Sequence, residues 1–257
     1  VKLPRRLSSG EEITLVEHLD ELRNRLFVCI AAVTVGFALA FWRHADILRL
    51  LNDQLPHHIQ KPITLGVSEP FTIAVTVSLY AGLFLALPVV FYQLYAFVIP
   101  AFAPHAGRKA LPVLIFVPAL FMAGVAFGYF VVLPAAVSFL LGFDASSYQI
   151  EVRAKDYYTF AMLILAAMGI IFEMPAAILA LSRLGVVSSR MLRKNRRYAI
   201  FILTVVAAAL PGVDPVSMLL ELVPLLVLFE LSVWLARLSE GRRARAADSG
   251  EEATTSA

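Results

Sequence analysis

Tyr157-Tyr-Thr-Phe-Ala-Met-Leu-Ile-Leu-Ala-Ala-Met-Gly-Ile-Ile-Phe-Glu-Met-Pro-Ala-Ala-Ile-Leu-Ala-Leu181 is a run of 25 residues with one charged side chain, Glu173. As a helix it is long enough for the hydrocarbon core of a bilayer, which takes about 20 mostly apolar residues. It is apolar on every side, which in a helix of this length points to burial in protein or lipid. The whole chain agrees: of 257 residues 60% are hydrophobic and 16% charged, with a mean hydropathy of +0.78. Soluble domains stand near about 45–50% and about 25%. The sequence therefore reads as an all-α integral membrane protein. Its net charge of +3 does not point to nucleic acid, because the charges sit in the gaps between apolar runs.

Outward from that run, further apolar stretches cover residues 26–42, 70–107, 110–143, 198–211 and 216–234. Two of them exceed the length a bilayer needs, so they must tilt, bend or emerge, and Pro88, Pro100, Pro118 and Pro134 offer places to bend. The last two stretches are short and are joined by Pro211-Gly-Val-Asp-Pro215, a turn tight enough to make them an antiparallel pair. Six transmembrane helices are expected in one domain over 1–237, the last two short, followed by a charged and disordered tail over 238–257. Of the 22 lysines and arginines, 17 fall in the N-terminal segment, the 98–112 and 182–197 connections and the tail. By the positive-inside bias both termini are cytoplasmic, and the 44–70 and 143–156 connections face outward. No cleavable leader is expected; the first span serves as its own insertion signal.

The polar residues narrow the chemistry. Cys29 is the single cysteine, and the five histidines all lie outside the apolar cores, so no metal ligand set, cofactor or catalytic pair is expected within the spans. No phosphate-binding loop is present either. An enzyme is therefore not the expected class. Glu173 stands out because an ionisable group within a span costs a few kcal/mol on insertion scales and faces protein or water. Pro175 follows two residues on, and a structural hydrogen bond at that kink competes with a functional role. Ahead of the first span, Ser9-Gly-Glu-Glu12 fits a capping box. Leu15, Leu19, Leu22 and Leu26 then form an apolar stripe, with Glu17, Asp20, Glu21, Arg23 and Arg25 off it. A plain pairing of Glu21 with Arg25, four residues on, accounts for those two charges without any function. Asp214 can equally be a turn former, and Glu230 is structural. Tyr92, Tyr95 and Trp234 suit the membrane interface.

Leu15-Val-Glu-His-Leu-Asp-Glu-Leu-Arg-Asn-Arg-Leu26 closely resembles the opening motif of the C subunit of the twin-arginine protein translocase, the TatC family. The resemblance continues through Ser68-Glu-Pro-Phe71, Leu87-Pro-Val-Val-Phe-Tyr-Gln-Leu-Tyr-Ala-Phe-Val-Ile-Pro100 and Phe127-Gly-Tyr-Phe-Val-Val-Leu-Pro134. Phe172-Glu-Met-Pro175 and Leu210-Pro-Gly-Val-Asp214 complete it. It implies a six-span receptor and core scaffold in the bacterial cytoplasmic membrane. Such a subunit binds twin-arginine signal peptides of folded cargo and draws on the proton-motive force, with no cofactor.

The resemblance also implies that Glu21 receives an arginine of the peptide, that Arg23 and Arg25 shape the same patch, and that Phe97 lies beside it. A carboxylate can grip a guanidinium by two parallel bonds, which lysine cannot copy. Glu173 becomes a polar point in a groove, and Pro70 and Asp214 mark turns of structural or functional weight. Met218 stands where the family often has glutamine, and Glu221, on nearly the same helix face, is the suggested contact for a partner helix. The implied partners are small single-span subunits of the TatA and TatB type, in homo- and hetero-oligomers. One departure is plain: the first cytoplasmic loop reads Pro104-His-Ala-Gly-Arg-Lys109, and Ala106 occupies the family's usual second acidic position. A secondary transporter of small solutes is the rival reading, but the two halves show no obvious repeat.

Overall fold

A computed structural model describes residues 15–56, 59, 61–102, 110–147, 150–183, 186–209 and 215–255. The capping box at Ser9–Glu12, the loop position Ala106 and Asp214 lie outside the described residues.

The described chain is helical almost throughout. α1 (Leu15–Trp42) leads into the short α2 (His44–Asn52), and α3 (Glu69–Phe102) is the second long helix. The third long segment is compound: α4 (Ala110–Phe127), one wide π turn (Gly128–Val132) and α5 (Leu133–Gly142). The wide turn falls where Pro134, lacking an N–H, cannot bond the Phe130 carbonyl one turn back. α6 (Ala154–Phe172) and α7 (Met174–Arg183) make the fourth segment, broken at Glu173. α8 (Ser189–Lys194), α9 (Arg196–Ala209) and α10 (Pro215–Thr255) complete the chain.

Five segments carry apolar stretches of spanning length: Leu19–Trp42, Glu69–Leu94, Ile115–Gly142, Ala154–Ser182 and Met218–Leu238. The sixth expected span is α9, whose 14 residues reach only about 21 Å. The last of the five, at 21 residues, is the shortest of them, so the final pair is the short one, as its sequence suggests. The charged stretch after 238, for which composition suggested disorder, continues α10 as helix to Thr255.

Glycines set how the helices meet. Lipid tails give apolar helices no reason to leave the membrane for one another, so association relies on close backbone approach and packing. α1 lies along α3 where Gly36 and Gly82 meet; a Cβ on Gly82 would come within 2.5 Å of the Phe37 nitrogen. α4 lies on α6 in the same manner: a Cβ on Gly124 would overlap the Met168 carbonyl, and one on Gly169 would enter the Phe121 ring. Around that crossing Val132, Leu133, Ala136, Ala161, Ile164 and Met168 are buried. Outward, Phe27, Phe71, Phe130, Ile170 and Phe201 remain exposed, as a lipid-facing surface requires.

At the α2 end, three tyrosines fasten the short helix. The Tyr157 hydroxyl donates to the Leu51 carbonyl at 2.5 Å, Tyr158 to Asn52 Oδ1 at 2.8 Å and Tyr129 to the Leu50 carbonyl at 2.8 Å. Ile63 N–H donates to the Val152 carbonyl at 2.8 Å, and Ala154 N–H to the Ile63 carbonyl at 2.7 Å, so the 44–70 and 143–156 connections are paired. At the opposite end, Ser189 donates from its N–H and hydroxyl to the two Glu240 oxygens at 2.7 and 2.5 Å, and Arg196 meets Glu230 at 2.7 Å. The connection before α9 is thereby tied to α10.

Candidate functional site

The first candidate site lies where the start of α1 meets the end of α3. α1 is one continuous helix here, and the side it turns to α3 is the polar one. Glu21 and Arg25 are partly covered, whereas Leu19, Leu22 and Leu26 of the apolar stripe are exposed and face away from the chain. The expected pairing exists: Arg25 Nη2 donates to Glu21 Oε1 at 2.5 Å and Nε to the same oxygen at 3.0 Å.

The pair is not alone. Arg25 Nη1 donates to Gln93 Oε1 at 3.0 Å and Nη2 to the Ala96 carbonyl at 3.1 Å, both on α3. Phe97 follows Gln93 by one turn and lies half-buried at the same end. Arg23 is placed elsewhere; its side chain, 65% exposed, sits 3.6 Å from Asp20 on the outer side of α1. Gln93 and Ala96 were not singled out from sequence, although both fall within the 87–100 motif.

The second candidate is Glu173, at the break between α6 and α7. Its N–H bonds the Ile170 carbonyl at 3.1 Å, a tightened turn, and its own carbonyl accepts from Ala177 at 2.9 Å. Pro175 is fully buried next to it. The Glu173 side-chain Oε1 is buried without a hydrogen-bond partner among the described residues. The kink is present as expected, but it does not satisfy that oxygen, and an unsatisfied buried acceptor is costly.

Glu221 and Met218 lie on α10. Glu221 is fully buried, at 0% exposure, inside the chain's own helices, and Met218 packs against the core. A partner helix reaching that carboxylate would have to part α10 from its neighbours. Tyr92 and Trp234 are exposed. Pro70 occupies the first turn of α3, where a missing N–H costs nothing.

Beside Pro70, Glu69 forms a contact that sequence reasoning missed. Arg153, from the connection before α6, donates Nε (3.1 Å) and Nη2 to Glu69 Oε1, while Leu65 N–H donates to Oε2 at 2.8 Å. The carboxylate raises the Arg153 pKa above its ordinary value, so the guanidinium stays charged. The available signals were the Ser68–Phe71 motif and the scarcity of basic residues in those connections. Among the described residues no group of three or more His, Cys, Asp or Glu could hold a metal ion.

The family model described as TatC, Sec-independent protein translocase protein, matches residues 17–224. A Sec-independent protein translocase protein TatC of Magnetococcus marinus is 36% identical over 251 residues, covering 96% of this chain and 92% of that protein. Its counterpart in Escherichia coli strain K12 is 35% identical, covering 89% and 90%. A crystal structure of the twin-arginine translocase receptor TatC in DDM superposes with a TM-score of 0.78 at 35% identity, over 86% of this chain and 99% of that one.

Proposed function

Since the chain belongs to the TatC family of Sec-independent protein translocase proteins, we propose that it receives twin-arginine signal peptides at the α1–α3 junction, with Glu21 as the acceptor. It is a multi-pass, non-enzymatic component of the twin-arginine translocase, working with other Tat subunits. Nothing in the fold or in these relatives supports the solute-transporter alternative.

One observation carries the assignment to Glu21: this carboxylate already holds a guanidinium, that of Arg25, by two bonds. A site that grips one guanidinium has the shape and charge to grip another. The exposed Leu19, Leu22 and Leu26, on the outer side of the same helix, offer apolar surface for the hydrophobic part of a signal peptide. Phe97 walls the same end, and Arg23, turned outward with Asp20, contributes positive field rather than direct contact. The 17-to-5 division of basic residues supports a cytoplasmic position for both termini and hence for this junction, in a bacterial cytoplasmic membrane.

Glu173 is the polar point of an intramembrane groove along which the peptide's apolar segment lies; its oxygen without a partner among the described residues supports that reading. Met218 and Glu221 mark the α10 region met by small single-span TatA- and TatB-type subunits, which engage by opening the packing around Glu221. Homo- and hetero-oligomers follow from that contact, and the proton-motive force supplies the energy.

The test is a photo-reactive twin-arginine peptide added to membranes containing the full chain. Labelling within the first two turns of α1 after residue 15 supports the assignment. Labelling confined to other helices, or undiminished in Glu21→Gln, contradicts it.

A further inference from the structure

Arg25 is held more fully than a helix-surface ion pair requires. All three guanidinium nitrogens are engaged: Nε and Nη2 on Glu21 Oε1, Nη1 on Gln93 Oε1 and Nη2 also on the Ala96 carbonyl. The side chain is 18% exposed, and two of its three acceptors come from α3, 68 and 71 residues away in sequence. A carboxylate, an amide oxygen and a main-chain carbonyl, drawn from two helices, therefore converge on one planar cation.

We propose that Glu21 Oε1, Gln93 Oε1 and the Ala96 carbonyl form a guanidinium-binding site, filled in the resting chain by Arg25, and that a peptide arginine enters it by exchange. The proposal rests on the reading that Glu21 receives the signal peptide, and it names the rest of the site. Exchange swaps one planar fork for another, so the charge-assisted bonds lost by Arg25 are regained by the incoming residue. A lysine ammonium, a point charge with its three donors on one atom, cannot span the same acceptors and does not displace the occupant. The released Arg25 has a long apolar stem along which its head can reach water. The site also supplies acceptors that owe nothing to the loop position Ala106, since Gln93 and Ala96 belong to α3.

The test uses the full chain in bilayer nanodiscs. Arg25→Ala empties the site but keeps its acceptors, with methylguanidinium as the probe and methylammonium as a control of equal charge and different shape. Methylguanidinium is expected to raise the unfolding midpoint of Arg25→Ala and not of the wild type, and methylammonium to raise neither. A twin-arginine peptide is expected to bind Arg25→Ala severalfold tighter than the wild type. In the Arg25→Ala background, where no resident competes, Gln93→Leu lowers peptide affinity about tenfold.

If Arg25→Ala does not fold, Arg25→Lys replaces it, and its weaker hold on the acceptors predicts tighter peptide binding than wild type. Equal methylguanidinium shifts in both proteins, or peptide binding by Arg25→Ala or Arg25→Lys no tighter than wild type, overturns the proposal. Loss of binding in Glu21→Gln together with such a result removes the exchange alone. Unchanged binding in Glu21→Gln removes the signal-peptide reading beneath it.

Discussion

Gly36 of α1 and Gly82 of α3 meet backbone to backbone: a Cβ on Gly36 would overlap the Gly82 carbonyl, and one on Gly82 would lie 2.5 Å from Phe37 N and 2.6 Å from its Cα. This contact fixes the distance between the two helices that carry the Glu21–Arg25–Gln93 cluster, so it sets the geometry of the junction from the middle of the bundle.

Gly82→Ala should therefore destabilise the chain by about 1–3 kcal/mol, since main chain rather than a flexible side chain must yield. Gly142, whose added Cβ would meet nothing within 4 Å, is the control, and Gly142→Ala should cost nothing. Thermal unfolding in detergent reads both. Equal midpoints for the two variants would show that the α1–α3 approach is looser than described.

The tyrosine fastening of α2 predicts a second asymmetry. Tyr157→Phe leaves the Leu51 carbonyl, at the end of a buried bond of 2.5 Å, without its donor, a loss of about 1–3 kcal/mol. Hydrogen exchange in α2 should accelerate in that variant. Tyr129→Phe removes a bond that faces solvent and should change exchange much less, because water replaces the donor.

At Glu173 stability and function should separate. Its Oε1 is buried without a partner among the described residues, so Glu173→Gln removes no satisfied bond at that atom, and the unfolding midpoint should hold or rise. Export of a folded twin-arginine reporter should fall in the same variant. Normal export would remove the groove role, and a large loss of stability would mean that the carboxylate is a structural element of the kink.

Topology offers a fourth test. Single cysteines placed in the 44–70 connection, with Cys29 replaced, should react with a membrane-impermeant reagent from the outside of intact cells. Those in 186–197 should react only after the membrane is opened. The opposite pattern would place the α1–α3 junction on the wrong side to meet a peptide before export.

The spans were legible because the length of an apolar run is a direct measure of bilayer thickness, and the break at Glu173 was legible because Pro175 cannot donate. The facing of the helices was not. A helix that is apolar all round has no preferred side, since lipid and protein interior are alike in polarity. At the start of α1 it is instead the polar side that meets α3, because Arg25 finds acceptors there, so the Leu19, Leu22 and Leu26 stripe is left exposed, and Glu221, suggested as a partner contact, sits inside. The Glu21–Arg25 pair was legible from its spacing of four. Gln93 and Ala96 were hidden because the helix crossing that brings them near Arg25 is set by glycines, not by the residues themselves. The Arg153 clamp on Glu69, 84 residues apart, was hidden because only the folded chain brings the connection before α6 to the start of α3.

Recognition of arginine at the start of α1 is read from the affinity of a twin-arginine peptide, and of its twin-lysine version, for the full chain with and without Glu21→Gln. The substitution should weaken the twin-arginine peptide by about tenfold or more, as loss of a charge-assisted pair requires, and barely change the already weak twin-lysine peptide. Equal affinities in both proteins for both peptides would remove Glu21 as the acceptor.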